Sequence, residues 1–536
     1  MDVVVETAAG AVRGVRSARH GHAQHENGHG HENGHAQVTA FKGIPFAAPP
    51  YGENRFASPQ PVVAWEGVRD ALDYGPTPPK PPYRAPIDAL LPEPSIPGVD
   101  VLNLNVWTPD TGSVGLPVLV WIHGGAFVNG TGAVPLYDGS AFARSGVVCV
   151  TVNYRLGAEG FALLPDAPGI APANRGLLDQ VAALEWVRDN IAAFGGDPRR
   201  VTVAGESAGA MSVTALMAMP AADGLFQRAI TQSGAGHHAM RPETARTVTA
   251  ALAESLGVAA TAEGLSAVPV AEFIGAQRAL SERIAAQPDP TKWGEAAMDG
   301  MAFEPCVDGS VLPGRPIDRI AGGAGASVGL LTGTNADEFA LFTVPFGLDA
   351  AMTEAGVRGL AASLGLDADE AVGAYAAAGP ALPPEQRAGT LFMALMRDVF
   401  FRIPAIRVVE ARAARGAGSF VYEFGWRSPE LGGRLGAAHA MELGFVFDTL
   451  AHPDARPMTG PKPPQHLADA MHGAWVRFIE SGHPGWDEYG ARRTVRMFGH
   501  GIAGGGVGDD GEVGDGGPAV VDDPGASTRA LWEGRR

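Results

Sequence analysis

Gly205-Glu206-Ser207-Ala208-Gly209 constrains this chain more than any other segment. An apolar, β-rich run, Val201-Thr202-Val203-Ala204, precedes it, and a helix-forming stretch from Ala210 to Leu216 follows. The pattern predicts a strand, a sharp turn and a helix. In so tight a turn, side chains two residues before and after the serine would collide. Glycine at 205 and 209 removes that collision. Ser207 can then hold a strained backbone conformation that thrusts its hydroxyl into a cleft, where it is a candidate nucleophile.

The chain has 536 residues, enough by length alone for three or four domains, and 46% of them are apolar, so a large core is affordable. Lys and Arg total 40 against 58 Asp and Glu, a net charge of −18. An acidic surface repels phosphate backbones, so nucleic acid is not an expected partner. The charge serves solubility. The two cysteines, Cys149 and Cys306, cannot make a disulfide framework, and Cys149 sits in the apolar run Val147–Val152 as a core residue. The N-terminus lacks the basic and apolar regions of a signal peptide, and no stretch is apolar for 18 residues. A cytoplasmic protein with no membrane contact is the expectation.

Two segments stand apart. Residues 20–37 repeat His-Glu-Asn-Gly-His at 25–29 and 31–35 and hold His20, His22, His25, His29, His31 and His35. A histidine tract can bind metal. This one reads instead as a solvated loop extending a hairpin, because glycine-rich flexible ligands lack preorganised geometry. Residues 499–517, rich in Gly and Asp, read as a flexible loop. Between the two, strand-like and helix-like segments alternate. Leu116–Ile122, Val147–Val152 and Val201–Ala204 are continuous apolar runs that suit strands covered on both faces. Asn174 to Phe194 has helical spacing, with Leu177, Val181, Leu184, Val187 and Ile191 on one side and Gly195-Gly196 as a stop. The alternation argues for an α/β fold with a doubly wound sheet.

A serine hydroxyl needs a base, a group to orient the base, and donors for the developing oxyanion. In hydrolases of α/β type, one donor is the N–H after the serine, here Ala208. Others lie on a glycine-rich loop after an earlier strand. The strand ending at Ile122 runs directly into His123-Gly124-Gly125-Ala126-Phe127, which makes Gly124, Gly125 and Ala126 the candidates.

From here the chain resembles the type-B carboxylesterase family, the cholinesterase-like branch of the α/β-hydrolases. The segments that carry the resemblance span nearly the whole chain. They are Phe41-Lys42-Gly43-Ile44-Pro45-Phe46-Ala47-Ala48-Pro49-Pro50 with Arg55-Phe56, Leu104-Asn105-Val106-Trp107-Thr108-Pro109, Asn153-Tyr154-Arg155-Leu156-Gly157, Asn174 to Gln180, Asn190 through Asp197-Pro198, Gln232-Ser233-Gly234, and Val521-Asp522-Asp523-Pro524 to Leu531-Trp532. The resemblance implies an α/β-hydrolase fold: a large, mostly parallel sheet flanked by helices, with cap insertions over a gorge. It also implies a triad acid in a G-x-N-x-D-E stretch, here Glu338 after Gly333-Thr334-Asn335-Ala336-Asp337. Asp337 is the competing carboxylate, expected to point away because side chains alternate along a strand end. Phe339 stands where the family often has glycine, which would narrow the pocket. The base is implied in Gly436-Ala437-Ala438-His439-Ala440-Met441-Glu442-Leu443, as His439, with His237 and His238 as rivals outside the motif. The order Ser207, Glu338, His439 is that of the fold. By resemblance too, Glu206 touches the site through water and Ser233 supports Glu338 from behind.

The implied activity is hydrolysis of small-molecule carboxylic esters through an acyl-enzyme, without metal or organic cofactor, by a monomer or homodimer. The candidate residues run from 123 to 439, so residues 1–536 read as a single catalytic domain with the two inserts. The same triad serves amidases, carbamate hydrolases and lactonases, and the fold also serves non-catalytic binding proteins. Retention of all three candidate triad residues argues against the last.

The insert supplies none of the candidate groups. Deleting residues 20–37, or adding EDTA, should therefore leave ester hydrolysis nearly unchanged. A large loss restored by zinc or nickel would make the histidine tract functional.

Overall fold

The computed structural model describes residues 2–17, 37–166, 171–379, 383–501 and 520–535. A 13-stranded sheet runs through it. The apolar runs form its centre as Leu116–Ile122, Val148–Val152 and Gly196–Glu206. The last begins earlier than its apolar run, pairing Gly196 with Leu116 before the register shifts and Val201 meets Val118. The order continues Val148–Val152, Leu116–Ile122, Gly196–Glu206, Arg228–Gln232, Gly329–Asn335, Ser419–Phe424 and Thr494–Phe498, and every pair in that series is parallel. Antiparallel strands flank it. Asp2–Thr7, Gly10–Arg16, Thr39–Pro45 and Asn103–Thr108 lie on one side and Val520–Asp522 on the other.

Both faces of the central strands are covered, which is why their sequences show no polar alternation. In Leu116–Ile122, Val118, Val120 and Ile122 join one hydrophobic cluster. Leu119 and Trp121 join the other. Helix Arg175–Asn190 covers the first face with Leu177, Val181, Leu184 and Val187, and a 3-10 turn, Ile191–Phe194, carries Ile191 on to the stop at Gly195, φ 89°. Helix Gln465–Ser481 covers the second face with Leu467, Met471, Trp475 and Phe478.

Two motifs that carried the family resemblance prove to be structural. Arg155 meets Asp179 through Nε (2.8 Å) and Nη2 (2.7 Å), tying the loop after Val148–Val152 to the helix, and both side chains are buried. Arg175 is fully buried and donates to the carbonyls of Ala158, Glu159, Ala162 and Pro172. Both cysteines are buried and unpaired. Among the described residues no helix is long and apolar enough to cross a membrane. The inserts at 20–37 and 499–517 lie almost wholly outside the described residues. At the first, the flanking strands pair Arg16 with Thr39, and Ser17 N–H reaches Val38 O at 2.8 Å.

Parallel strands aim their C-terminal ends one way, and α/β sheets place their sites on that edge. Here Ile122 leads into His123, Glu206 into Ser207, and Asn335 into the turn that carries Glu338.

Candidate active site

The elbow forms as its glycines require, with the crowding coming from backbone. A Cβ on Gly209 would strike the Ile122 carbonyl, and one on Gly205 would strike the Gly209 backbone. Ser207 sits at φ 57° and ψ −125°, and its N–H is held by Gln232 O at 2.9 Å. Such a conformation costs about 1–3 kcal/mol. Helix Ala208–Ala218 starts at the next residue, so the Ala208 N–H is among the donors without a partner inside the helix. The helix end also brings partial positive charge to the serine.

Ser207, Glu206, His439, Gly124, Gly125 and Ala126 line one cavity of about 570 Å³. Glu338 lies behind it, fully buried. Its Oε2 accepts from His439 Nδ1 at 2.7 Å and its Oε1 from the Asn335 N–H at 2.8 Å. That bond places the neutral imidazole proton on Nδ1 and turns Nε2 toward the cavity side. Asp337 points elsewhere: Oδ2 accepts from Arg427 (2.6 Å) and from the Ala437 N–H (2.9 Å). The two carboxylates separate because the strand ends at Asn335 and both lie in the following turn, not because of strand alternation. Asp337 in effect stitches that turn to the loop that carries His439.

The glycine-rich loop is oriented from its carbonyl side. His123 Nδ1 lies 2.8 Å from Gly124 O, so Nδ1 carries the ring proton and donates it. Burial lowers the His123 pKa to about 3, which keeps the ring neutral. In a trans peptide the C=O and the next N–H point opposite ways. With Gly124 O turned to His123, the Gly125 N–H points the other way. Gly125 O accepts from the N–H groups of Val128 (3.0 Å) and Asn129 (2.8 Å), which fixes the Ala126 N–H in turn. Gly124 has no room for a side chain, since a Cβ would lie 2.8 Å from both Glu206 O and Glu206 Oε2.

Glu206 Oε1 lies 3.0 Å from His439 Nε2, a direct contact where the resemblance implies one through water. Burial raises the Glu206 carboxyl to about 8. For His439 burial opposes the charged ring, but Glu206 and Glu338 outweigh it and lift the imidazole to about 9. Ser233 does not support Glu338. Asn335 takes that place, and Ser233 Oγ makes no hydrogen bond among the described residues. His238 lines the cavity with its ring 6.0 Å from that of Phe400, and His237 is not among the lining residues.

The sequence reading passed over three contributors. Glu442 accepts from Gln232 Nε2 (2.9 Å) and Asn335 Nδ2 (2.6 Å), and its place three residues after His439 was the available signal. His123 was visible at the head of the glycine loop. Phe401, whose ring is 4.8 Å from that of His439, had no local signal. Phe339 joins Phe400 (5.4 Å) and Phe342 (5.4 Å) in an aromatic wall of the cavity.

A model of the carboxylesterase family matches residues 2–493. The chain belongs to the carboxylesterase family. Membership makes it a serine carboxylesterase of α/β-hydrolase fold. It is 40% identical to the para-nitrobenzyl esterase of Bacillus subtilis strain 168 over 84% of this chain and 88% of that one. It is 36% identical to the phenmedipham hydrolase of Pseudarthrobacter oxydans over 86% and 90%. A solved structure of a para-nitrobenzyl esterase superposes with TM-score 0.78 at 35% identity, covering 98% of this chain and 99% of that one. A Geobacillus stearothermophilus carboxylesterase at pH 6.2 gives the same TM-score, 0.78, and 35% identity, over 99% of each chain.

The adjacent carboxylates give a direct test of the acid. Glu338→Gln should lower turnover by about ten-thousandfold, the size seen when a triad carboxylate becomes an amide and the imidazole takes the wrong tautomer. Asp337→Asn keeps an oxygen for the Ala437 N–H and should cost less than about tenfold, the exposed Arg427 pair being worth little. Steady-state kinetics of both variants with one ester decide it. A dead Asp337→Asn beside an active Glu338→Gln would move the acid by one residue.

Proposed function

We propose that the chain hydrolyses carboxylic esters through a Ser207–His439–Glu338 triad and an acyl-enzyme. The observation that carries this reading is one cavity lined by Ser207 and His439, with the far nitrogen of His439 bonded to a buried carboxylate at 2.7 Å. His439 Nε2 takes the Ser207 proton as Oγ attacks the ester carbonyl. The N–H groups of Gly125, Ala126 and Ala208 receive the oxyanion, with Gly124 fixing the loop. His439 then protonates the departing alcohol, and water repeats the sequence on the acyl-enzyme. Glu338 holds the tautomer and stabilises the imidazolium.

The cavity wall of Phe339, Phe342, Phe346, Phe400 and Phe401 favours neutral esters with an apolar or aromatic group. Likeness to a phenmedipham hydrolase favours carbamates as a second substrate class. Every candidate group hangs from the same sheet, so we read the chain as one catalytic domain. We place it in the cytoplasm, where two buried unpaired thiols remain reduced.

Ser207→Ala should abolish hydrolysis of p-nitrophenyl esters, a loss of about a million-fold in turnover, with the fold intact. An organophosphate should label Ser207 in the wild type. A folded Ser207→Ala retaining more than a few per cent of activity, or an adduct on another residue, would falsify the nucleophile.

The pH profile tests Glu206. The base works only when neutral, so kcat/KM should rise with pH as His439 loses its proton, on a limb near 9. Glu206→Gln removes a negative charge that favours the imidazolium. The His439 pKa should fall, and the limb should move to lower pH by at least about one unit. A limb that stays in place would show that Glu206 does not set the charge of the base.

A further inference from the structure

We infer that Glu93 is a positioning residue for this reaction: its carboxylate clamps the cavity wall at residues 81–92 to the loop that presents the oxyanion donors. The inference rests on the proposed triad and extends it. Glu93 Oε1 accepts from the Gly130 N–H at 2.9 Å and from Asn129 Nδ2 at 3.0 Å. Glu93 Oε2 accepts from the Tyr83 N–H at 3.1 Å and from the same Asn129 amide at 3.1 Å. That amide also donates to Pro81 O at 2.7 Å. One half-buried carboxylate thus joins two segments that are distant in the chain and share no strand.

What it grips matters at both ends. On one side, Pro81, Tyr83 and Leu91 line the cavity, so the 81–92 segment is the part of the clamp that substrate would press against. On the other side, Asn129 uses its backbone N–H to hold Gly125 O, the contact that aims the Ala126 N–H. Gly130, at φ 92°, packs so closely on Gly124 O and the His123 ring that a Cβ there would strike both. A shift of Asn129–Gly130 would therefore reach the Gly124 and Gly125 carbonyls, and with them the Gly125 and Ala126 N–H groups. Burial raises the Glu93 carboxyl above its ordinary value, and the Gly130 and Asn129 donors offset only part of that rise. Glu93 touches no substrate in this arrangement. It acts through the loop.

The two oxygens divide the work, which makes the clamp separable by mutation. Glutamine at 93 can keep its oxygen on Gly130 and Asn129, but then turns an NH₂ group toward the Tyr83 N–H. It preserves the oxyanion loop and loosens the wall, which is then held to the loop only through the Asn129 amide on Pro81 O. Alanine releases both.

The experiment measures kcat and KM with p-nitrophenyl acetate and p-nitrophenyl benzoate. It adds the rate constant for phosphorylation by diethyl p-nitrophenyl phosphate, with the labelled residue mapped, and thermal unfolding of each variant. Glu93→Ala should lower kcat by roughly ten- to a hundredfold, the scale of a small misplacement of catalytic groups, and slow phosphorylation by the same factor. Glu93→Gln should keep kcat and the phosphorylation rate within about threefold of wild type while raising KM for the benzoate several-fold, since wall contacts bind ground and transition states alike. A folded Glu93→Ala with wild-type kcat overturns the inference. So does a Glu93→Gln whose kcat falls as far as that of Glu93→Ala, or whose benzoate KM does not change. Should Glu93→Ala not fold, the Glu93→Gln split alone decides. Labelling of the wild type at a residue other than Ser207 would instead sink the triad reading, which separates the two failures.

Discussion

Behind Ser207 several backbone segments approach so closely that none tolerates a side chain. Gly209 lies on the Ile122 carbonyl, Gly205 on Gly209, Gly124 on Glu206, and Gly234 within 2.5 Å of Ser207 O measured from where its Cβ would stand. This contact joins the ends of three neighbouring strands, Leu116–Ile122, Gly196–Glu206 and Arg228–Gln232. It explains how a serine with positive φ persists. The strain of about 1–3 kcal/mol falls on one residue, and the close-packed strand ends leave the chain no other path. The parallel sheet is therefore a mount for that turn, and its length follows from needing the ends of further strands to bring in the acid and the base.

The second constraint is electrostatic. One imidazole sits among three buried carboxyls, Glu206, Glu338 and Glu442. Burial raises Glu206 and Glu442, and the three carboxyls differ in the donors they hold. Glu338 takes the Asn335 N–H and the His439 Nδ1–H. Glu442 takes two side-chain amides, though burial and then Glu338 still raise it. Glu206 has no such donors on Oε1, only the nearby His439 Nε2, and burial raises it to about 8. The carboxyl with the weakest support is the one beside the catalytic nitrogen, where a proton can pass between them.

The sheet was legible in the sequence where burial erased alternation, as in Leu116–Ile122, and the helix Arg175–Asn190 where apolar spacing survived. Its boundaries were less so. The strand into the elbow starts at Gly196, among polar residues, because pairing with Leu116 rather than hydrophobicity extends it. At the site, motifs named the candidates Ser207, Glu338 and His439 but not the contacts of their neighbours. Asp337 and Glu338 are both carboxylates in one turn, and only the contacts with Ala437 and Asn335 tell a stitch from an orienting acid. By resemblance Ser233 supports Glu338, yet the bond comes from the backbone N–H of Asn335, three residues before the acid candidate. Phe401 and Glu93 left no trace in local pattern, because each reaches the site from a segment whose own sequence is unremarkable.

The division of labour between sheet and loops has a physical basis. Ser207, the proposed nucleophile, needs one fixed orientation and sits at the end of a strand gripped on both sides. The oxyanion donors need N–H groups left unbonded, which a strand within a sheet cannot spare. They belong on a loop, and a loop must be held by its other atoms. Here it is held from the carbonyl side, by His123 at Gly124 and by Val128 and Asn129 at Gly125. Binding each carbonyl leaves the adjoining N–H free and aimed. A loop fastened in this way is rigid where the charge develops and still joined to the wall that substrate touches, so the fit of the substrate and the placement of the donors are linked through the same few hydrogen bonds.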